Sequence, residues 1–285
     1  MLQWLGLKKK PKRRIARGQT AGRRESTEAH IDFQNVWKRL GGRDILRGLD
    51  LAISHNETFV VIGLSGTGKS VTLKHVVGLM LPDYGKVLIE GIDTSQQTPQ
   101  QRLESKSQFG YLFQSGALIN WMTIFENVAL PLREHTSLPE DEIRRQVMEK
   151  LTFLNLEDHG QKYPSEISGG MKKRAGLARA IVREPKILLY DEPTSGLDPV
   201  MSREVDRLIV RMKLELGVTS ILVTHDMESA YLCADRIGML YEGRLRQVGT
   251  PEEIRDSEDP VVQAFITGSE IPSASEQEQQ SFNPT

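Results

Sequence analysis

Residues 63–70 read GLSGTGKS, directly after the apolar run Phe59-Val60-Val61-Ile62. Gly63, four intervening residues and then Gly68-Lys69-Ser70 is the spacing of a phosphate-binding loop. The residue types say why. Glycines let backbone N–H groups turn inward around an anion, a lysine at 69 reaches the outer phosphates, and a hydroxyl at 70 is placed to ligate Mg²⁺. A helix over about Val71–Leu79 would add its positive N-terminal end. The spacing therefore predicts a nucleoside triphosphate held by Gly63, Leu64, Ser65, Gly66, Thr67, Gly68, Lys69, Ser70 and Val71.

Composition sets the outer limits. A chain of 285 residues with 38% hydrophobic content can form one large or two modest domains. The net charge of −1 makes no overall case for nucleic acid, but it is unevenly spread. Residues 1–30 carry nine lysines and arginines against Glu25 and Glu28. No apolar stretch approaches the roughly 20 residues a membrane helix needs. The short apolar piece Met1–Leu7 precedes the basic run and lacks the order of a secretory signal, so a cytoplasmic location is expected. Cys233, the single cysteine, excludes an intramolecular disulfide and reads as a buried structural thiol. The six histidines show no metal-ligand spacing, and no zinc site is expected.

Along the chain, residues 1–30 read as a basic, flexible segment. Alternation at His30–Phe33 and at Leu49, Leu51 and Ile53 predicts strands, separated by a turn at Gly41-Gly42. Phe59–Ile62, Ile187–Tyr190 and Ser220–Val223 are continuous apolar runs, as expected of strands buried on both faces of a mostly parallel sheet. Pro139 opens a helix whose Ile143, Val147, Leu151 and Leu154 form one apolar stripe, read as core packing. DRIGMLYEGRLRQVG predicts two short strands around Glu242-Gly243. From Ser269 the text is polar and proline-broken, the pattern of a disordered tail.

Two further motifs carry chemistry. The run Ile187–Tyr190 delivers Asp191-Glu192 at its C-terminal end, where an open α/β sheet binds ligands. Asp191 is placed to hold Mg²⁺, and Glu192, one step further, to orient or deprotonate an attacking water. Ser168-Gly169-Gly170 then opens a helix, a second anion site of free N–H groups and helix dipole.

Two phosphate-grade helix ends in one chain resemble the ABC ATPase family, in which the signature helix of one subunit completes the nucleotide site of another. The resemblance covers about Ile31–Gly249. It implies an α/β P-loop NTPase fold of the ABC ATPase type: a mostly parallel sheet, an antiparallel N-terminal β subdomain and a helical signature subdomain. The domain would run over residues 31–268, with the helical part at about 115–180. By position, Gly63–Ser70 would be the Walker A loop and Gln114 in YLFQSG the Q-loop residue that senses Mg²⁺. Ser168, Gly169 and Gly170 would be the signature, Asp191 and Glu192 Walker B and catalytic glutamate, Ser195–Asp198 the D-loop, and His225 in VTHD the switch histidine. On this reading Glu192 and His225 are catalytic, and Ser70, Gln114 and Asp191 hold the metal. Asp198 joins the nucleotide-binding set.

Two departures are informative. The family stacks adenine on an aromatic residue where this chain has Leu40, leaving Trp37 or its basic neighbours as substitutes. The signature ends in Met171 where glutamine is commoner. SGGMKKRAGLARAI and LFQSGALINWMTIFENVALPLREHTSL resemble the ATPases of MCE-linked lipid transporters, the Mla group and its mycobacterial and plastid relatives. That resemblance implies an ATP- and Mg²⁺-dependent homodimer on the cytoplasmic face of the inner membrane. It implies four roles for partners: a second copy, an integral membrane permease, an MCE-domain lipid-binding protein and a small cytoplasmic accessory subunit, with no nucleic acid. Phospholipid is the expected cargo. The alternatives are an importer ATPase for amino acids or metals, and a soluble ABC ATPase acting on nucleic acid. The latter group carries paired cassettes or long inserts, which this chain lacks.

Overall fold

A computed structural model describes residues 29–98, 100–101 and 105–271. The expected basic segment 1–30 and the tail from 269 thus lie almost wholly outside the described residues.

Two strands open the fold. β1 (Ala29–Leu40) and β2 (Arg43–Ser54) pair antiparallel about Gly41-Gly42, whose φ values of 55° and 81° suit glycine. β4 (Tyr84–Ile89) and the short β5 (Ile92–Asp93) complete a sheet in the order β2-β1-β4-β5. The second sheet has the order β10-β9-β3-β8-β7-β6. Its members are β3 (Thr58–Ile62), β6 (Phe109–Leu112), β7 (Ile187–Asp191), β8 (Thr219–Val223), β9 (Arg236–Tyr241) and β10 (Arg244–Gly249). All neighbours in it are parallel except β10, which returns antiparallel on β9.

The pleat explains how one apolar strand serves two cores. Val60 and Ile62 of β3, with Leu188 and Tyr190 of β7, face a core built with the helices. Phe59 and Val61, with Ile187 and Leu189, face a second core shared with the first sheet. Successive side chains point to opposite faces, so a strand covered on both sides must be apolar at every position.

Eight α-helices are described. α1 (Lys69–Val76) follows the glycine loop, and α2 (Ile124–His135) begins at a capping box of Thr123 and Glu126. α3 (Glu140–Phe153) starts just after Pro139 and buries Ile143, Val147 and Leu151, as its periodicity predicts. α4 (Gly169–Ile181) and α5 (Pro199–Leu216) follow, then α6 (Met227–Cys233), α7 (Pro251–Arg255) and α8 (Pro260–Thr267). Cys233 is buried, and burial pushes its thiol pKa up, which fits an inert structural role.

The topology has one consequence for the site. β3, β8 and β7 are parallel neighbours, so the segments leaving their C-terminal ends emerge side by side. Those segments are the glycine loop, the turn bearing His225 and the Asp191-Glu192 pair, at the edge where open α/β sheets bind ligands.

Candidate active site

The glycine loop is shaped by contacts that admit no side chain. A Cβ on Gly63, at φ 149°, would stand 2.3 Å from the Leu240 carbonyl oxygen, and one on Gly68, at φ 105°, would press on Ile45. Between them Leu64, Ser65 and Gly66 are exposed, while Lys69 is buried beneath the loop. Lys69 Nζ donates to the carbonyls of Gly63 at 2.8 Å and Leu64 at 3.0 Å. Burial lowers its pKa, and Glu192 and Asp191 oppose that shift. The ammonium therefore sits under the loop on carbonyls it can exchange for phosphate oxygens.

At the end of β7 the carboxylates divide. Asp191 Oδ1 accepts the Ser70 hydroxyl at 2.8 Å, and its Oδ2 lies 3.4 Å from the Tyr111 hydroxyl. Glu192 turns the other way. Its Oε2 is 2.8 Å from His225 Nδ1 and its Oε1 is 4.0 Å from Lys69 Nζ. Glu192 has φ 50°, left-handed backbone in a non-glycine residue. Such conformations cost about 1–3 kcal/mol and persist where the surroundings over-determine them. Here the Glu192 N–H donates to Val223 O at 2.9 Å, and its carbonyl accepts from Ser195 N at 3.2 Å.

The expected residues Lys69, Ser70, Asp191, Glu192 and His225 thus come together at one edge. Others stand apart. Gln114 is exposed and its amide donates to Ser195 Oγ at 3.3 Å, not to the Ser70–Asp191 pair. Ser168 caps α4 by accepting from Met171 N, and a Cβ on Gly170 would meet Met201 of α5. Asp198 caps α5 through the N–H groups of Val200 and Met201, each at 3.0 Å. Both caps are exposed, so the N-terminal end of α4 faces outward. Leu40 is exposed at the end of β1, whereas Trp37 is committed to its own hairpin, donating to Asn35 Oδ1 at 2.9 Å.

Two neighbours escaped the motif reading. Tyr111, one residue from the end of β6, has its hydroxyl on Asp191 and its ring stacked on Phe113. Lys173 lies on the buried side of α4 with Gly170 and Leu177, and donates to the backbone carbonyls of Gln114 and Glu192. A lysine in phase with a helix's buried residues was the available signal.

The donor chemistry suits magnesium. A serine hydroxyl and an aspartate carboxylate in contact are hard oxygen ligands, and Mg²⁺ takes its remaining ligands from phosphate and water. Among the described residues no group of three or more His, Cys, Asp and Glu side chains is arranged for a metal.

Beyond the catalytic edge, a groove of about 990 Å³ opens between β6, α2 and α4, lined by Phe109, Tyr111, Phe113, Ile119, Pro131 and Arg179. The loop before α2 is held rigidly. Asn127, fully buried, accepts from Ile119 N at 2.7 Å and donates to the carbonyls of Ile119, Met122 and Thr123. That loop presents Trp121 with 80% of its surface exposed, while Phe125 turns into the core.

Known proteins resemble this chain in sequence and in fold. The ABC transporter family model matches residues 46–195. The probable ribonucleotide transport ATP-binding protein Mkl of Mycobacterium tuberculosis is 42% identical over 260 residues, 88% of this chain and 72% of Mkl. The intermembrane phospholipid transport ATP-binding protein MlaF of Haemophilus influenzae is 37% identical over 238 residues, 84% of this chain and 90% of MlaF. A dimeric structure of the ATP-binding cassette MJ0796 in a post-hydrolysis state with ADP and Pi superposes with TM-score 0.71 at 30% identity, covering 78% of this chain and 98% of the cassette. With the phosphate loop, the acidic pair and the histidine side by side at one sheet edge, the chain belongs to the ABC transporter family as an ATP-hydrolysing subunit that uses Mg²⁺.

Proposed function

We propose that the chain powers a membrane transporter of phospholipids, as a homodimer on the cytoplasmic face of the inner membrane. Its partners would be an integral permease and an MCE-domain lipid-binding protein, with a small cytoplasmic accessory subunit as a further candidate. The observation that carries the lipid reading is the match to MlaF over 90% of that protein's length. The name of Mkl points to a different cargo, and an importer for amino acids or metals is the reading to be excluded.

The residues divide the work as follows. Lys69 and the N–H groups of the glycine loop would bind the phosphates, and Ser70 and Asp191 would hold Mg²⁺, which would supply positive charge to the phosphate oxygens. Gln114, bonded here to Ser195 Oγ, would complete the metal set. Glu192 accepts a proton from the attacking water or orients it, and His225, held on Glu192 Oε2, would hydrogen-bond the γ-phosphate. The helix end opened by the exposed Ser168 and Gly169, with Gly170 buried behind them and Asp198 beside it, completes the site of the second copy. The anchored loop bearing Trp121, next to the groove behind Gln114, is the surface offered to the permease.

Expression with its neighbouring genes tests the reading. The complex should copurify with a polytopic permease and carry phospholipid detectable by mass spectrometry. Copurification with a periplasmic amino-acid- or metal-binding protein, without lipid, overturns it.

A further inference from the structure

Glu192 owes its orientation to its backbone, and one side chain from another layer of the molecule reaches that backbone. Lys173 Nζ, on α4, donates to the Glu192 carbonyl at 3.2 Å and also to the Gln114 carbonyl. Only 5% of Lys173 is exposed. The two carbonyls lie just beyond the ends of β6 and β7, which are paired in parallel with Leu112 opposite Tyr190. A single ammonium from the helical layer thus clamps the segments leaving two adjacent strands of the sheet. One of them is the left-handed peptide at Glu192, φ 50°, which an L residue holds only when its surroundings fix it.

We propose that Lys173 is a positioning residue for ATP hydrolysis: from the signature helix it fixes the Glu192 and Gln114 backbones, so the Glu192 carboxylate is aimed only while α4 is seated on the sheet. The proposal rests on the reading of Glu192 given above. Lys173 itself does not touch the nucleotide. The mechanical content is a link between the helical layer, which would meet the permease, and the catalytic carboxylate. Alternative anchors exist for only part of the job. Val223 O and Ser195 N also bond the Glu192 peptide, yet both belong to the sheet edge and neither reports the placement of α4.

The test is a double-mutant cycle on the full chain, reading kcat and KM for ATP-Mg²⁺ together with the Kd of a fluorescent ATP analogue. Lys173→Met keeps the length and removes the donor. It should lower kcat ten- to a hundredfold with KM and Kd changed less than threefold. Lys173→Arg, which restores a cationic donor, should stay within about fivefold of wild type. In a Glu192→Gln background, Lys173→Met should change the residual rate less than twofold, because the group it aims is already gone. Should the methionine variant not fold, Lys173→Gln is read against the same thresholds. A wild-type kcat in the folded variant, a loss that tracks Kd, or an equal loss in both backgrounds overturns the proposal. If Glu192→Gln alone hydrolyses ATP normally, the role of Glu192 fails instead, and the two failures are distinguishable.

Discussion

Replacing Glu192 by glutamine removes one negative charge and one base while preserving the side chain's length. Two interactions change directly. The carboxylate stands 4.0 Å from Lys69 Nζ, a separation at which unit charges attract by about 4 kcal/mol gross at an effective dielectric constant of 20. Lys69 keeps the Gly63 and Leu64 carbonyls at 2.8 and 3.0 Å, so the loop holds its shape in the variant. Once ATP is bound, the γ-phosphate supplies negative charge beside Lys69, and losing the carboxylate relieves like-charge repulsion; ATP affinity should be equal or higher. The second interaction, with His225 Nδ1 at 2.8 Å, survives as a neutral hydrogen bond. What disappears is the proton acceptor. General-base assistance is worth about 10²–10⁴ in rate, roughly 3–5 kcal/mol of barrier at 1.36 kcal/mol per decade. Phosphate release at saturating ATP-Mg²⁺ should therefore fall at least a hundredfold, while nucleotide binding by equilibrium dialysis is retained. A variant turning over within threefold of wild type would refute the assignment and leave His225 as the group to test.

Three further outcomes follow from other parts of the structure. Leu40 offers no aromatic face, so at that position base stacking worth about 1 kcal/mol would be missing. GTP should support hydrolysis within about tenfold of ATP, and a much stronger preference in a competition assay would point to another reader of adenine. His30 is buried with Nδ1 2.7 Å from Thr219 Oγ1, and burial, followed by the stacked His55, holds its pKa at about 4. A pKa depressed from 6.5 gives stability that is present above pH 6.5 and lost as pH falls towards 4, amounting to about 3 kcal/mol. Asp206, pushed up to about 6 by burial, acts in the opposite sense below pH 6, so the difference in urea stability between wild type and His30→Asn isolates the histidine. That difference should shrink from pH 7 to pH 4; a constant offset would show that His30 does not titrate as stated. Finally, Trp121→Glu, at an 80% exposed position, should break association with the permease while leaving ATP affinity and Tm unchanged. Loss of ATP binding in that variant would place Trp121 in the fold's support and not at its surface.

How much of this was legible in the sequence depended on whether the signal was local. Phe59–Ile62, Ile187–Tyr190 and Ser220–Val223 read correctly as strands because burial on both faces forces continuous apolar runs, and all three form adjacent members of one sheet. The glycine loop, Asp191-Glu192 and His225 follow those strands immediately, so their convergence was foreseeable once the strands were parallel. Helix α3 was legible from its stripe, with Pro139 as its N-cap and not its first residue. Contacts made across layers were not legible. The apolar set around Trp121 could not be divided by periodicity, because Asn127's four hydrogen bonds, made to a loop outside the helix, decide that Trp121 faces outward and Phe125 inward. Gln114 resting on Ser195, 81 positions away, leaves no local trace. The left-handed Glu192 peptide bonds Val223 and Lys173, both distant in sequence, as well as the nearby Ser195, so its anchoring was only partly local.

The central claim is that ATP hydrolysis by this chain drives phospholipid movement, and lipid transfer in a reconstituted system tests it most directly. The chain, its permease and the MCE partner would be placed in vesicles with a fluorescent phospholipid, and transfer to acceptor vesicles followed with and without ATP-Mg²⁺. The account predicts transfer that requires ATP, stops with Glu192→Gln and is insensitive to added amino acids, ribonucleotides or metal ions. ATP hydrolysis stimulated by one of those solutes, with no phospholipid transferred, would contradict it.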